Sequence, residues 1–334
     1  MSANCLLDGS IDIYKECHPV GAVAVLGAGI TAHVPVLKAE VIEAFSPTRA
    51  TNFLDATIGG GGHARAILNA FQGANVWGMD RDPSAIKRAS ESLPPNRVHL
   101  RNDNFSRLDC LPAKAFDGIL FDFGLSSDQL DTPERGFSFR SDGPLDMRMD
   151  PTQGISAAQF LSSASREMLV QAIRDFGEEP NWRRVVSAIW NARGTNRLSR
   201  TSIFAELVRN ALPKHYQGKI DPATRTFQGI RIAVNGELEA IQIAFPKALA
   251  ALAPGGVMAA ISFHSLEDRL VKRFFRQWAG LPETRWDGRS KDERQSAGKM
   301  HTVRPITPSA DEILANPRCR SAKLRIFQKW EARL

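Results

Sequence analysis

Asn52-Phe-Leu-Asp-Ala-Thr-Ile-Gly-Gly-Gly-Gly-His63 is an apolar run that ends in an acid and then in four consecutive glycines. Asn52 to Ala56 has the length and composition of a short buried strand, and the following segment places Ile67, Leu68 and Phe71 at helical spacing. The glycines therefore fall on a strand-to-helix turn. Without a Cβ the backbone approaches a ligand closely there, and the free N–H groups of the helix N-terminus point at it, as in nucleotide-binding α/β sheets. A glycine-rich turn alone also serves simple chain reversal, so its meaning depends on what surrounds it.

Three further strands carry the same sign. Ala74-Asn-Val-Trp-Gly-Met79 ends in Asp80, placed to reach the ribose hydroxyls of a nucleotide over the turn. Arg97 to Arg101 runs into Asn102-Asp-Asn-Phe105, and Phe116 to Phe121 runs into Asp122-Phe-Gly-Leu125. Strands alternating with helices from Thr51 to Ser127 predict an α/β fold with a parallel sheet, whose carboxyl ends form the ligand crevice. Asp55, Asp80, Asp103 and Asp122 then converge on one place. So much negative charge disfavours a pyrophosphate and favours a ligand with a positive centre. S-adenosylmethionine fits, with its adenosine for Asp80, its amino-acid tail for the glycine turn and its sulfonium. The bland alternative is four ordinary solvated loop acids.

These stretches, together with His33-Val-Pro-Val-Leu37, Met79-Asp-Arg-Asp-Pro83, Asp122-Phe-Gly-Leu-Ser-Ser127, Glu134-Arg-Gly-Phe-Ser-Phe139, Gly143-Pro-Leu-Asp-Met-Arg-Met149, Ala223-Thr-Arg-Thr-Phe-Gln228 and Ile261-Ser-Phe-His-Ser-Leu-Glu-Asp268, resemble the MraW/RsmH methyltransferases from about His33 to the C-terminus. The resemblance implies a Rossmann-like class I methyltransferase fold with an inserted all-helical domain. It implies methylation of the N4 amino group of a cytidine in small-subunit ribosomal RNA, with S-adenosyl-L-methionine as donor. Carried onto this chain, with the crevice argument, it gives Gly61, Gly62, His63, Asp80, Phe105, Asp122 and Gln129 as cofactor-binding residues. It also moves His33 toward the cofactor pocket. Gly177-Glu-Glu-Pro-Asn-Trp182 departs from the family wording, and Gly236 stands where relatives carry a polar residue.

The chemistry at the amine sets further expectations. Its lone pair is delocalised into the ring, so a site must accept hydrogen bonds from the N–H groups and hold the nitrogen in line with the methyl carbon. Asp122 and His264 are candidates for catalytic work, with no group singled out as proton acceptor. Ser262, His264 and Arg135 are candidates for holding the substrate base. Carbon-5 methylation would need a cysteine nucleophile presented after a proline. Cys110 precedes its proline and Cys319 lies between arginines, so covalent catalysis is disfavoured.

The chain has 334 residues, 43% of them hydrophobic, and a net charge of +7. Its 4 cysteines form no Cys-x-x-Cys pair, which argues against a zinc site and a disulfide framework and for a reducing cytoplasm. No metal is expected. Residues 1–150 carry 14 Lys/Arg and 19 Asp/Glu, whereas residues 151–231 carry 12 and 6 and residues 269–334 carry 16 and 7. The basic segments would attract a polyanion, though a solvated basic surface reads equally well from charge alone. Expected partners are small-subunit rRNA or the assembled small subunit, with no DNA and no membrane, and a homodimer is allowed.

Three domains are expected: a flexible extension over 1–32, a discontinuous core over 33–130 and 228–334, and a loop and helical insertion over 131–227 for substrate recognition. Trp182 and Trp190 in the insertion read as core in preference to base-stacking platforms. Phe227 to Leu252 reads as one long helix, 279–316 as irregular and mobile, and Ala322 to Trp330 as a closing edge strand. Two other functions fit parts of the pattern: a non-catalytic RNA-binding assembly factor that kept the fold and, less well given the acidic crevice, an NAD-dependent oxidoreductase.

Overall fold

A computed structural model describes residues 35–113, 115–213, 221–282, 286–290 and 293–331. The extension expected over 1–32, and His33, lie outside the described residues.

After α1 (Lys38–Phe45) the chain alternates β1 (Asn52–Asp55), α2 (Gly62–Ala70), β2 (Asn75–Asp80), α3 (Pro83–Ser92), β3 (Val98–Asn102), a 3-10 turn (Phe105–Cys110) and β4 (Phe116–Asp122). Each junction has a local cause. Gly61, at φ +80, opens α2 in a conformation that disfavours a side chain. Asp82 caps α3 by accepting from the Ser84 N–H, and Pro83 fills the first turn, where no N–H is needed. β4 is buried over nearly its whole length, as a central parallel strand must be.

A helical segment follows: α4 (Ser127–Asp131), α5 (Ala157–Ser163), α6 (Arg166–Val170) running into a π-helical stretch (Gln171–Phe176), α7 (Trp182–Ala192), α8 (Thr201–Ala211) and α9 (Ala223–Asn235). It closes on its own apolar core, which includes Phe160, Ile173, Val185, Ile189, Phe204 and Ile230 and draws in Leu145 and Met147 from the preceding loop. The chain then returns through α10 (Glu237–Ala251), β5 (Leu252–Ser262), α11 (Ser265–Trp278), β6 (Gly298–Met300), α12 (Ala310–Ala315) and β7 (Lys323–Lys329).

The seven strands lie in the order β3-β2-β1-β4-β5-β7-β6. β1 to β5 are parallel, and β7 is antiparallel to both neighbours. The order runs outward from β1 to β3 and restarts at β4, so the switch point lies between the carboxyl ends of β1 and β4, the place where such sheets take ligands. One face of the sheet is covered by a core including Val41, Phe45 and Ile67, the other by a core including Phe121, Phe245 and Phe275.

Several expectations need correction. The helix expected over Phe227 to Leu252 is two helices, because Gly236 takes φ +60 and both ends α9 and begins α10. A left-handed residue is where glycine is favoured, which accounts for Gly236 without a helix-weakening cost. β7 is not an edge strand, since β6 pairs outside it. The stretch read as irregular contains β6 and α12. Trp182 is half-buried and packs against the core of the insertion, whereas Trp190 is 40% exposed and is not an interior residue. Among the described residues no helix is long and apolar enough to cross a membrane.

Candidate active site

Asp55 closes β1 at the switch point and is buried, with Oδ1 accepting from the Thr57 N–H at 3.3 Å. Burial raises its carboxyl to about 7, and His63 opposes that rise. His63, in the first turn of α2 and also buried, has Nε2 3.6 Å from Oδ2 of Asp122 at the end of β4. Asp55 Oδ2, His63 Nε2 and Asp122 Oδ1 are all buried and none has a hydrogen-bond partner among the described residues. Unsatisfied buried polar atoms are rare and expensive. Three in one crevice, on adjacent strands and the helix between them, mark a place built to meet a polar ligand.

Asp80 ends β2 beside this group. Its Oδ2 accepts from the Gly59 N–H at 3.0 Å and its Oδ1 from the Asp82 N–H at 2.9 Å, which fixes the carboxylate against the glycine turn. Burial raises it to about 6. The turn is kept close by its lack of side chains: a Cβ on Gly61 would lie 2.7 Å from the Leu93 side chain, and one on Gly62 would lie 2.8 Å from Pro35. Phe105 packs edge-on to Phe121 at 5.7 Å, giving the crevice an apolar wall next to Asp80. Asp103 sits beside Asp80, its N–H donating to the Asp80 carbonyl at 3.0 Å, and its carboxylate is engaged by Arg101 at 3.3 Å and Arg107 at 3.5 Å, so its charge is offset within the protein.

Gln129 and Arg135 meet at Asp82, a residue that none of the sequence arguments singles out. Asp82 is fully buried, and its Oδ2 accepts from Gln129 Nε2 at 3.0 Å and from Arg135 Nη1 at 2.8 Å. The other arm of Arg135 donates to the carbonyls of Arg148 and Met149. Arg135 therefore braces the loop between α4 and α5 against the start of α3, and its guanidinium is occupied. The pattern Asp80-x-Asp82-Pro83 holds the signal for Asp82, since an acid before a proline opens a helix.

On the opposite wall, the ring of Phe263 packs against Gly124, where a Cβ would come within 2.8 Å of it. This contact joins the loop after β5 to the loop after β4. Glu267 fixes the former by accepting from the N–H groups of Phe263 at 2.8 Å and His264 at 3.3 Å. Its other oxygen lies 3.0 Å from His264 Nε2. Behind it, Arg231 binds Glu237 through two hydrogen bonds of 2.9 and 2.8 Å and lies 3.9 Å from Glu267. Glu237, His264 and Glu267 are close enough to surround a cation, but Arg231 already supplies the positive charge there. Ser262 is 1% exposed and its hydroxyl donates to the Lys323 carbonyl of β7, so it is withdrawn from any base in the crevice.

A seven-stranded sheet with this order, a glycine turn after its first strand and acids at the ends of its first, second and fourth strands define a Rossmann-like class I methyltransferase. The chain belongs to the MraW methylase family, whose profile matches residues 30–330. It is 45% identical over 310 residues to the ribosomal RNA small subunit methyltransferase H of Nitrosococcus oceani, covering 90% of this chain and 98% of that protein. It is 44% identical over 306 residues to the protein of the same name from Granulibacter bethesdensis, covering 89% and 91%. A solved rRNA methylase structure from Streptococcus thermophilus aligns over 88% of this chain and 94% of its own at 11% identity, with a TM-score of 0.36.

Proposed function

We propose that the protein transfers a methyl group from S-adenosyl-L-methionine to the N4 amino group of a cytidine in small-subunit ribosomal RNA. The observation that carries the reading is the cluster of unsatisfied polar atoms on Asp55, His63 and Asp122 beside the glycine turn, in a chain of the MraW methylase family. The residues present suit the donor. Asp80, held by Gly59 and Asp82, accepts from ribose hydroxyls; Phe105 flanks the adenine; Gly61, whose own N–H donates to the Ile58 carbonyl, keeps the turn open to the ligand, and the Gly62 N–H and the polar atoms of His63 and Asp122 receive the amino-acid tail and the charge near it. The cofactor, when bound, supplies an electrophilic methyl group on a positive sulfur.

The protein's own part is positioning. A cytosine amine is a weak nucleophile whose proton becomes acidic only as the new bond forms, so alignment contributes more than a strong base. His264, held by Glu267 in the loop after β5 that the Phe263 ring joins to Gly124, is the candidate for holding the entering base. The substrate is small-subunit rRNA, free or within the assembled subunit, and the protein works in the cytoplasm. The inserted helices, within 131–227, serve substrate recognition.

The test is transfer of label from methyl-labelled S-adenosylmethionine to small subunits from cells that lack this enzyme. The reading expects label in the RNA and its loss with Asp80→Ala. Tight binding of cofactor and subunit with no transfer would instead support an assembly factor.

A further inference from the structure

We infer that the seam between α6 and α7 is a binding groove for an unpaired stretch of RNA, separate from the cofactor crevice. The inference rests on the reading of rRNA as substrate. The two helices and the π-helical stretch run antiparallel, so that Arg166 faces Trp190 at one end and Arg174 faces Trp182 at the other. Each indole carries a second guanidinium from its own side. Arg183 lies 4.4 Å from the Trp182 ring centroid, and Arg193 lies 4.2 Å from that of Trp190. Between the helices is an open groove of about 800 Å³ lined by Arg166, Met168, Gln171, Arg174, Trp182 and Arg183.

Charge and exposure argue for an occupant. Arg166 and Arg183 are exposed and form no ion pair with any described residue, whereas Arg174 is engaged by Asp175 at 2.7 Å. Met168 is 49% exposed and Trp190 40%, an apolar surface for which the core of the insertion has no use. Two acids, Glu167 and Asp175, also line the groove, but the surrounding residues 151–231 carry twice as many basic as acidic groups.

Single-stranded bases stack on indole faces and on guanidinium planes, while free arginines follow the phosphates. Trp182 lines the groove, and Trp190, beyond its end and beside Arg166, lies eight residues further on, about 12 Å along the helix, a span suited to two or three nucleotides. A duplex would hide its base faces from such a surface. The groove therefore takes an unpaired segment flanking the target nucleotide and contributes to affinity, not to chemistry.

The test uses the full chain and a short, labelled, single-stranded oligoribonucleotide, followed by anisotropy and by tryptophan emission. Wild type should bind with quenching of indole fluorescence. Trp190→Leu, at a half-exposed position, should remove part of the quench. The Arg166→Glu/Arg183→Glu pair should weaken binding by about tenfold or more and flatten the salt dependence by roughly 0.7 in slope for each phosphate no longer neutralised. Binding of S-adenosylhomocysteine by the same variants reports that they are folded. Unchanged affinity, or an unquenched complex, overturns the groove. None of these readouts needs methyl transfer, so they stand apart from the success or failure of the proposed reaction.

Discussion

Arg135 Nη1 lies 2.8 Å from Oδ2 of Asp82, a carboxylate with no exposed surface, and this pair fixes the loop between α4 and α5 to the helix that follows β2. Removing one member of a buried pair leaves the other charge uncompensated, at a cost of about 3 to 5 kcal/mol. Arg135→Ala is expected to lower the denaturation midpoint accordingly. Arg135→Lys is expected to rescue little, because an ammonium does not also span to the carbonyls of Arg148 and Met149 as the planar fork does. Urea unfolding of the two variants checks this, and equal stability of Arg135→Ala and wild type would contradict it.

The raised carboxyls of Asp55, at about 7, and Asp80, at about 6, fix the sign of a pH effect. Each group holds its proton more tightly in the folded than in the unfolded chain. Their contribution to stability is full below about pH 4 and is lost as pH rises through 6 to 7. The ligand-free Asp55→Asn variant should therefore gain stability relative to wild type over that interval, by an amount on the order of a few kcal/mol at most. Paired unfolding curves at pH 4.5 and 8 would measure it, and a difference independent of pH would rule it out.

Cofactor binding has its own pH signature. A ribose hydroxyl donates to the Asp80 carboxylate, so a protonated Asp80 must first release its proton. Affinity for S-adenosylhomocysteine should be flat well above pH 6 and fall below it, approaching tenfold per pH unit. Calorimetry in buffers of different ionisation enthalpy would detect the released proton, and an affinity level down to pH 5 would refute the assignment.

The four glycines of the turn are not equivalent. Gly61 has φ +80 and no room for a Cβ beside Leu93, whereas a Cβ on Gly60 meets nothing within 4 Å. Gly61→Ala should cost about 1 kcal/mol or more in stability and displace the turn from Asp80. Gly60→Ala should fold like wild type. Thermal melts of both variants distinguish a turn set by backbone conformation from one that needs only small residues.

The parallel strands and the crevice are legible in the sequence because each strand announces itself by an apolar run, and its end by a polar or acidic residue. Asp55, Asp80 and Asp122 follow from position alone. What stays hidden depends on partners far apart in sequence: Asp82 with Gln129 and Arg135, Arg231 with Glu237 and Glu267, and Asp103 with its arginines. Ser262 looks available because it ends a strand, yet β7 covers it by pairing Ser262 with Lys323. Trp190 misleads for a related reason. Size and spacing suggest burial, which holds in part for Trp182, but Trp190 lies at the surface beside Arg166, which comes from another helix.

Methylation of a cytidine at N4 is tested most directly by the identity of the modified nucleoside. Small subunits lacking the modification, incubated with the protein and methyl-labelled S-adenosylmethionine, are digested to nucleosides and separated. The account predicts label in N4-methylcytidine, absent with Asp80→Ala. Label in 5-methylcytidine or in a ribose-methylated nucleoside would contradict it.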